Sequence, residues 1–212
     1  MWCHVNLYRC HSGASPLSQW QNDGMPTHVA LLRGINVGGR NRVAMADLRE
    51  VVLGLGHAEV ATYIHSGNVV FTSEEADTAT IAAALERAIA EHLGVQPKVI
   101  VLTRVELAQV VADNPFPDEP NPRWVHAIFR NGPLAPDELA AVAADQQRAQ
   151  DQGSDDEARV VGTTLFLHTP GGLGRNELAA QLTRLGRSRT AEAAGTARNW
   201  ATVHKLLALC DG

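Results

Sequence analysis

Apolar residues recur along this chain with two different spacings, and the resulting segments follow the same order in both halves. Short runs of apolar and β-branched residues predict strands, while apolar residues three or four positions apart predict helices. In the first half the predicted elements are, in order, a strand at 28–33, a helix at 45–55, strands at 60–64 and 68–72, a helix at 77–93 and a strand at 98–103. This βαββαβ order predicts a ferredoxin-like subdomain.

The second half repeats that order after a short connecting helix. Thr103 and Glu106 have the spacing of a capping box, which predicts that this helix begins at residue 104. The elements predicted after it are a strand at 124–130, a helix at 136–147, a hairpin at 158–161 and 164–168, a helix at 176–185, an extended piece near 192–196 and a last helix capped by Asn199. The predicted fold class is therefore α+β, with two tandem ferredoxin-like (βαββαβ) subdomains.

Changes in composition divide the chain into four segments. Residues 1–24 have no periodicity and no apolar core of signal-peptide length, so we expect an unstructured extension that comes from a mis-assigned start, with Met25 as the true first residue. We expect residues 25–113 to form the first subdomain with the connecting helix, the Pro-rich residues 114–122 to be a linker, and residues 123–212 to form the second subdomain with the C-terminal helix.

The loop at residues 33–42 is the strongest candidate for a binding site. It follows a predicted strand, precedes a predicted helix, and contains three glycines and three arginines but no acid. Glycine lets the backbone approach a ligand closely, and the forked donors of Arg33, Arg40 and Arg42 match phosphate or carboxylate oxygens. The composition of this loop predicts that it binds an anion.

A second candidate lies at the hairpin of residues 63–71, where Ser66 and Gly67 form the turn. In a ferredoxin-like sheet the first and third strands are antiparallel neighbours, so the loop after the first strand lies beside the start of the third. We therefore expect one small anionic or nucleotide-like ligand to contact both segments. The predicted ligand-binding residues are Arg33, Asn36, Gly38, Gly39, Arg40, Ser66 and Asn68.

Each of these residues also has a purely structural interpretation. Gly38 and Gly39 are typical of a tight strand-to-helix turn, Asn36 can bond to its own backbone, and Gly67 can serve the hairpin alone. His65 has no carboxylate placed beside it by spacing, which weakens any assignment as an acid or base. The sequence leaves both interpretations open and identifies no catalytic residue, so whether the protein is an enzyme is also open.

Several short motifs occur in an order that resembles the DUF1697 family of bacterial proteins of unknown function. They are Arg33-Gly34-Ile35-Asn36-Val37-Gly38-Gly39, Met45-Ala46-Asp47-Leu48-Arg49, the hairpin, Asn114-Pro115-Phe116 and Ala197-Arg198-Asn199-Trp200. The resemblance extends from about Thr27 to the C-terminus. It implies the tandem ferredoxin-like fold and the candidate site positions, but it implies no settled activity.

The chain departs from the pattern of that family at several positions. The family usually has Gln at the position of His65, and Ser-Lys at the positions of Asn176 and Glu177. It usually has Thr and Asn where this chain has Ala197 and Ala201. Because Glu177 reverses the local charge, we expect any anion contact that the family makes there to be altered in this protein.

Composition and charge exclude some classes of function. The net charge of −5 disfavours generic binding to nucleic acid or to anionic membranes. No apolar run has the roughly 20 residues that a membrane helix needs, and no motif for a metal ion, a cofactor or a catalytic nucleophile is present. Outside residues 1–24 the single cysteine, Cys210, cannot form an internal disulfide, which predicts a cytoplasmic protein.

Two classes of function remain: a binder of a small anionic ligand, and an RNA-binding or protein-interaction module without catalysis. RNA-recognition domains stack bases on aromatic residues of their two central strands. Here the first strand has no aromatic residue and the third has Phe71. The sequence therefore ranks RNA second and gives no oligomeric state.

Overall fold

The computed structural model describes residues 27–39, 41–172, 178 and 195–212. These residues form eight strands and five helices, a mixed α+β fold as predicted. The elements in chain order are β1 (His28–Leu32), α1 (Met45–Gly54), β2 (Ala58–Tyr63), β3 (Asn68–Thr72), α2 (Thr78–Leu93), β4 (Val99–Thr103), α3 (Arg104–Ala112), β5 (Val125–Phe129), α4 (Pro136–Asp151), β6 (Glu157–Val161), β7 (Thr164–His168), β8 (Thr196–Asn199) and α5 (Trp200–Cys210).

The strands form two antiparallel sheets of four strands each. The first has the order β2-β3-β1-β4 and the second the order β6-β7-β5-β8. In the first sheet, β1 lies between its partners with Leu31 opposite both Asn68 and Ile100. This register places the end of β1 beside the start of β3, where the loop and the hairpin turn meet.

Both faces of the central strands are buried, which explains why β1 and β5 are apolar on both faces, apart from the buried His28 and His126, rather than alternating. One face of the first sheet packs against α1 and α2, with Phe71 and Leu85 fully buried there. Its other face shares a core with the second sheet, α3 and α5, in which Leu31 and Val203 are fully buried. The two sheets are therefore held together by one apolar layer, and not only by the chain that connects them.

Most helix boundaries lie where the capping residues predict them. The Thr103 hydroxyl accepts from the Glu106 amide while the Glu106 carboxylate accepts from the Thr103 amide, so the predicted capping box is confirmed. The side chain of Asn199 accepts from the Thr202 amide at the start of α5, as predicted. Gly94 ends α2 in the left-handed conformation.

Two predicted elements differ from the structure. The helix expected at 136–147 continues to Asp151, and Ala149 in the additional turn is buried on the same inward face as Val142. The last strand was expected near 192–196, but it is Thr196–Asn199, and residues 192–194 lie outside the described part. Thr196 and Arg198 point inward there. Because these buried residues are polar, the pattern of apolar residues did not predict the strand.

Other predictions fall on residues that the structure does not describe. They concern the segment 1–24 and all of the helix expected at 176–185 except Leu178, which is buried. Within the described residues, no helix is long and apolar enough to cross a membrane.

Candidate functional site

The loop after β1 is held in a compact shape by its own hydrogen bonds. At its start, the Arg33 amide donates to the Lys98 carbonyl at 2.8 Å. Farther along, the Asn36 amide donates to the Asn41 carbonyl, and the Asn41 side chain donates to the Gly34 carbonyl. Gly38 and Gly39 both have positive φ, at 59° and 76°, a conformation that favours glycine. The loop therefore turns sharply before the chain enters α1.

Asn36 fastens this loop to the hairpin. Its Nδ2 donates to the carbonyls of Val43 and His65, each at 2.9 Å, and its Oδ1 accepts from the Val43 amide. The residue itself has a φ of 53°, which asparagine tolerates better than most residues. The side chain of Asn36 therefore shapes the loop, through the backbone of Val43 and His65 and not through its own backbone.

The hairpin turn is packed tightly beneath the loop. The Leu32 amide donates to the Gly67 carbonyl at 2.8 Å. Gly67 has a φ of 73°, and a Cβ there would lie 2.8 Å from both Leu32 Cβ and Ile35 Cδ1. Asn68 is fully buried, and its Nδ2 donates to the Tyr63 carbonyl and the Ser66 hydroxyl. Only a glycine fits at position 67 in this arrangement.

Arg198, from β8 of the second sheet, inserts its guanidinium into the back of the hairpin. Its Nε donates to Asn68 Oδ1, and its Nη2 donates to the carbonyls of Leu32, Ser66 and Gly67. Its Nη1 donates to the Thr196 hydroxyl and the Ala197 carbonyl. The C-terminal motif and the hairpin motif, which are far apart in sequence, therefore form one hydrogen-bonded unit.

The charge of Arg198 is buried among neutral oxygens. The residue is 8% exposed, and none of its partners among the described residues is a carboxylate. Burial lowers the pKa of its guanidinium to about 10, which leaves it protonated at neutral pH. Because no described acid neutralises it, this cation raises the electrostatic potential around the turn.

An open cleft of about 510 Å³ lies between the loop, the turn and the start of α1. Its described lining residues are Asn36, Gly39, Arg42, Val43, Ala44 and His65. Ala44 is the residue before the first turn of α1, and its side chain makes no capping hydrogen bond. The positive end of the helix dipole is therefore left available at this cleft.

The predicted site residues divide into four groups. Asn36 and Gly39 line the cleft. Ser66 and Asn68 are bonded to each other and to Arg198, while Gly38 and the half-buried Arg33 lie in the loop outside the described lining. Arg40 is not among the described residues.

Three residues of this region were absent from the predicted set. Arg42 and His65 line the cleft, and Arg198 supports the turn from behind. The loop composition on which Arg33 and Arg40 were predicted applies equally to Arg42, because all three belong to the same loop. No local pattern around Arg198 indicates its role, because all its partners except Thr196 and Ala197 come from the other sheet.

The Asn114-Pro115-Phe116 motif lies elsewhere, against the second sheet. Phe116 stacks on His168 with ring centroids 5.2 Å apart, and the Arg159 guanidinium lies 5.7 Å from its ring centroid. Glu119 bonds to His168 Nε2 at 2.6 Å. This motif attaches the connecting segment to β6 and β7 and does not contribute to the described lining of the cleft.

Cys210, the free cysteine of the described residues, lies in α5 and is not among the described lining residues of the cleft. Burial raises the pKa of the Cys210 thiol to about 11, so it is protonated at neutral pH and is a poor nucleophile. Among the residues that the structure describes, no group of three or more His, Cys, Asp or Glu side chains is placed to hold a metal ion.

Comparisons with known proteins identify the family and the fold of the chain. The sequence model described as "Protein of unknown function (DUF1697)" matches residues 25–166. No curated protein matches the chain. The structure of the conserved bacterial protein SP0830 from Streptococcus pneumoniae is similar, with a TM-score of 0.64 and 24% identity over 88% of this chain and 99% of that one.

Proposed function

Because the chain belongs to the DUF1697 family of proteins of unknown function, its family assigns no activity, and we propose one from its own cleft. The protein binds a small anionic or nucleotide-like ligand at the loop of residues 33–42. The observation that carries this proposal is the meeting of a glycine turn, the start of α1, Arg42 and His65 at one cleft. The ligand class follows from the charge and the donors of that cleft.

The backbone supports an anion in two ways. The start of a helix presents unpaired amide groups and the positive end of its dipole, which together suit phosphate or carboxylate. Successive amides in a turn of positive φ form a concave group of donors of the same kind. In this chain α1 and the turn at Gly38 and Gly39 adjoin the same cleft.

Two arginine side chains add positive charge, one exposed at the cleft and one buried behind the turn. Arg42 is exposed at the cleft and can form a bidentate pair with a phosphate or carboxylate. Arg198 contributes a buried charge that bonds to the Ser66 carbonyl at 3.1 Å, one residue from His65. Asp47, the acid in the first turn of α1, lines a different cleft, between α1 and α2.

We assign two roles to the predicted site residues. Arg33, Gly38, Gly39 and Arg40 contact the ligand, together with Arg42 and His65. Asn36, Ser66 and Asn68 form the rigid support, because their side chains already bond to the loop, to the turn and to each other. The function needs no metal ion or cofactor, and it leaves open whether the ligand is also a substrate.

We further propose that the architecture is two tandem ferredoxin-like subdomains, residues 25–113 and 123–212, joined by residues 114–122. The support is the identical strand order of the two sheets, in which the first strand is central and pairs antiparallel with the third and the fourth. The apolar layer between the sheets implies that the subdomains fold together.

The RNA alternative has weaker support. The sheet face that RNA-recognition domains use is covered here by α3, α5 and the second sheet. Phe71, the aromatic residue of β3, is fully buried on the opposite face, against α1 and α2. Bases could not stack on that sheet without separating the two halves of the protein.

A thermal-shift screen tests the proposed function. The full chain is heated with inorganic phosphate, nucleoside monophosphates, a sugar phosphate, acetate and short single-stranded RNA. At about a hundred times its dissociation constant, a ligand should add about 2.7 kcal/mol of stability and raise the midpoint by several degrees. Arg42→Ala and Arg33→Ala should reduce the shift, whereas Arg87→Ala, an exposed arginine on α2, should not. The absence of a shift with every anion would refute the proposal.

A further inference from the structure

A second groove lies along β4, the edge strand of the first sheet. It has a volume of about 590 Å³ and is lined by the strand residues 98–102, by α2 on one side, and by Arg130, Asn131 and Thr163 of the second half on the other. The groove thus lies beside the outer edge of β4, with which no strand of the described residues pairs. It shares no described lining residue with the cleft beside the loop.

The backbone of β4 faces this groove at alternate residues. The Lys98 carbonyl accepts from the Arg33 amide, and the Thr27 carbonyl accepts from the Arg104 amide. The even-numbered residues along β4 therefore direct their amides and carbonyls towards β1. Val99, Val101 and Thr103 therefore direct their amides and carbonyls away from β1. Within the described chain no strand pairs with that outer edge.

Two of the three outward amides have partners of their own. The Glu86 carboxylate accepts from the Val99 amide at 2.9 Å, and the Glu106 carboxylate accepts from the Thr103 amide at 2.7 Å. Such partners limit uncontrolled strand pairing at a sheet edge. The amide and carbonyl of Val101, and the carbonyl of Val99, remain directed at the groove.

The walls of the groove suit an extended chain. Ala79, Ala82 and Ala83 form one face of α2 over the groove and leave space for side chains of a guest strand. On the opposite wall, the exposed polar side chains of Asn131 and Thr163 can bond to the second edge of that strand. A helical guest pairs its own backbone amides and carbonyls internally, so it could not bond in this way to the edge of β4 or to Asn131 and Thr163.

Charge indicates what the guest carries. Lys98 is paired with Glu86 at 2.8 Å and Arg130 with Glu138 at 2.8 Å, so both cations are neutralised. Glu106 is exposed and bonds to Thr103 through Oε2 alone, which leaves its Oε1 without a described partner. A carboxylate with no cationic partner among the described residues, at this end of the groove, favours a basic residue on the guest.

We propose that this groove binds an extended segment of a partner protein by strand addition to β4, with small side chains towards α2 and a Lys or Arg beside Glu106. Main-chain hydrogen bonds give affinity in this mode of recognition, and the pockets for alternate side chains give specificity. The interaction is independent of the anion cleft, so both can operate in one molecule.

Amide hydrogen exchange in the free full-length protein is the first test. The Val101 amide should exchange much faster than those of Ile100 and Leu102, which bond to β1. Protection of Val101 that rises with protein concentration would instead identify a second copy of this chain as the occupant. Protection that is independent of concentration would mean that the chain itself covers the edge. Either result overturns the proposal.

Peptide binding is the second test. A phage-displayed library of linear nine-residue peptides is selected on the full chain, and the enriched peptides are measured by fluorescence polarisation. Val101→Pro removes the outward amide without removing a bond to β1, since proline is tolerated at an outward edge position. It should weaken binding about tenfold. Val101→Ala keeps the amide and should bind like the wild type, which controls for the lost side chain.

Glu106→Gln provides a variant that keeps the helix cap, because glutamine also serves in a capping box. It should weaken the binding of peptides that contain a basic residue and leave the binding of their Lys→Gln or Arg→Gln counterparts unchanged. Equal binding to the wild type, Val101→Pro and Glu106→Gln, or the absence of any enriched peptide, would contradict strand addition at β4.

Discussion

The Nε atom of Arg198 donates a hydrogen bond to Oδ1 of Asn68, across 130 residues of sequence. This bond joins the last strand of the second sheet to the hairpin of the first, directly behind the cleft that we propose as the anion site. The same guanidinium bonds to the carbonyls of Leu32, Ser66 and Gly67. Arg198 therefore couples the position of the hairpin turn to the second half of the chain.

We expect Arg198→Met to lower the free energy of unfolding by about 3 kcal/mol or more, because it leaves several buried oxygens without donors. Arg198→Lys should lose less free energy of unfolding than Arg198→Met but should remain less stable than the wild type, since an ammonium cannot reach all the partners of a planar guanidinium. Urea denaturation measures both. The control is Arg87→Met, on the exposed face of α2, which should cost less than about 0.5 kcal/mol. Equal losses for Arg198→Met and Arg87→Met would contradict this role.

The two hairpin glycines offer a matched comparison. Gly67 and Gly162 both have positive φ, but a Cβ would collide with Leu32 and Ile35 only at Gly67 and would meet nothing within 4 Å at Gly162. Gly162→Ala should cost about 1 kcal/mol for backbone strain. Gly67→Ala should cost clearly more, because overpacking adds about 1–3 kcal/mol. Thermal denaturation of both variants checks this, and equal shifts would contradict the packing at the turn.

Stability should fall at mildly acidic pH because of buried histidines. Burial, with the nearby His57, lowers the pKa of His28, and burial also lowers the pKa values of His57 and His126. In the range between the lowered and the ordinary values, the unfolded chain binds more protons than the folded one. Stability is then full above about pH 6.5 and is lost as the pH falls below it.

His28→Phe tests this prediction, since it keeps a ring against Phe71, with which His28 stacks at 5.7 Å. The free energy of unfolding is measured by urea denaturation from pH 5 to pH 8. The slope of the variant between pH 5 and pH 6.5 should be smaller than that of the wild type. Identical slopes would mean that His28 does not contribute to the acid sensitivity.

The contact between Glu119 and His168 should hold the connecting segment on the second sheet. Both side chains are largely buried, at 10% and 17% exposure, and their atoms are 2.6 Å apart. Glu119→Gln should therefore destabilise the protein more than Glu157→Gln, whose partner Arg159 is exposed. Limited proteolysis within residues 114–122 should accelerate in the first variant alone, and equal rates would contradict the assignment.

Local patterns were sufficient for most of the fold. The sequence predicted fourteen elements, thirteen of which have a counterpart among the described residues, and the capping residues Thr103, Glu106 and Asn199 act as predicted. The last strand was displaced because its inward residues, Thr196 and Arg198, are polar. A buried cation that bonds to the opposite sheet leaves no signature in its own neighbours.

The sequence predicted less of the candidate site than of the fold. The composition of the loop pointed to the region that we propose, but it could not separate the proposed ligand donors from residues that shape the loop. Asn36 and Asn68 use their side chains for internal hydrogen bonds, although Asn36 also lines the cleft together with Arg42 and His65. That division depends on the register between β1 and β3, which brings the loop against the turn.

A titration of the ¹⁵N-labelled full chain with inorganic phosphate, followed by amide chemical shifts, is the most direct test of an anion site at this cleft. We expect saturable shifts at Gly38, Gly39, Met45 and Ala46, which weaken in Arg42→Ala and persist in Arg87→Ala. Shifts that do not saturate, or that occur away from the loop and the first turn of α1, would contradict an anion site at this cleft.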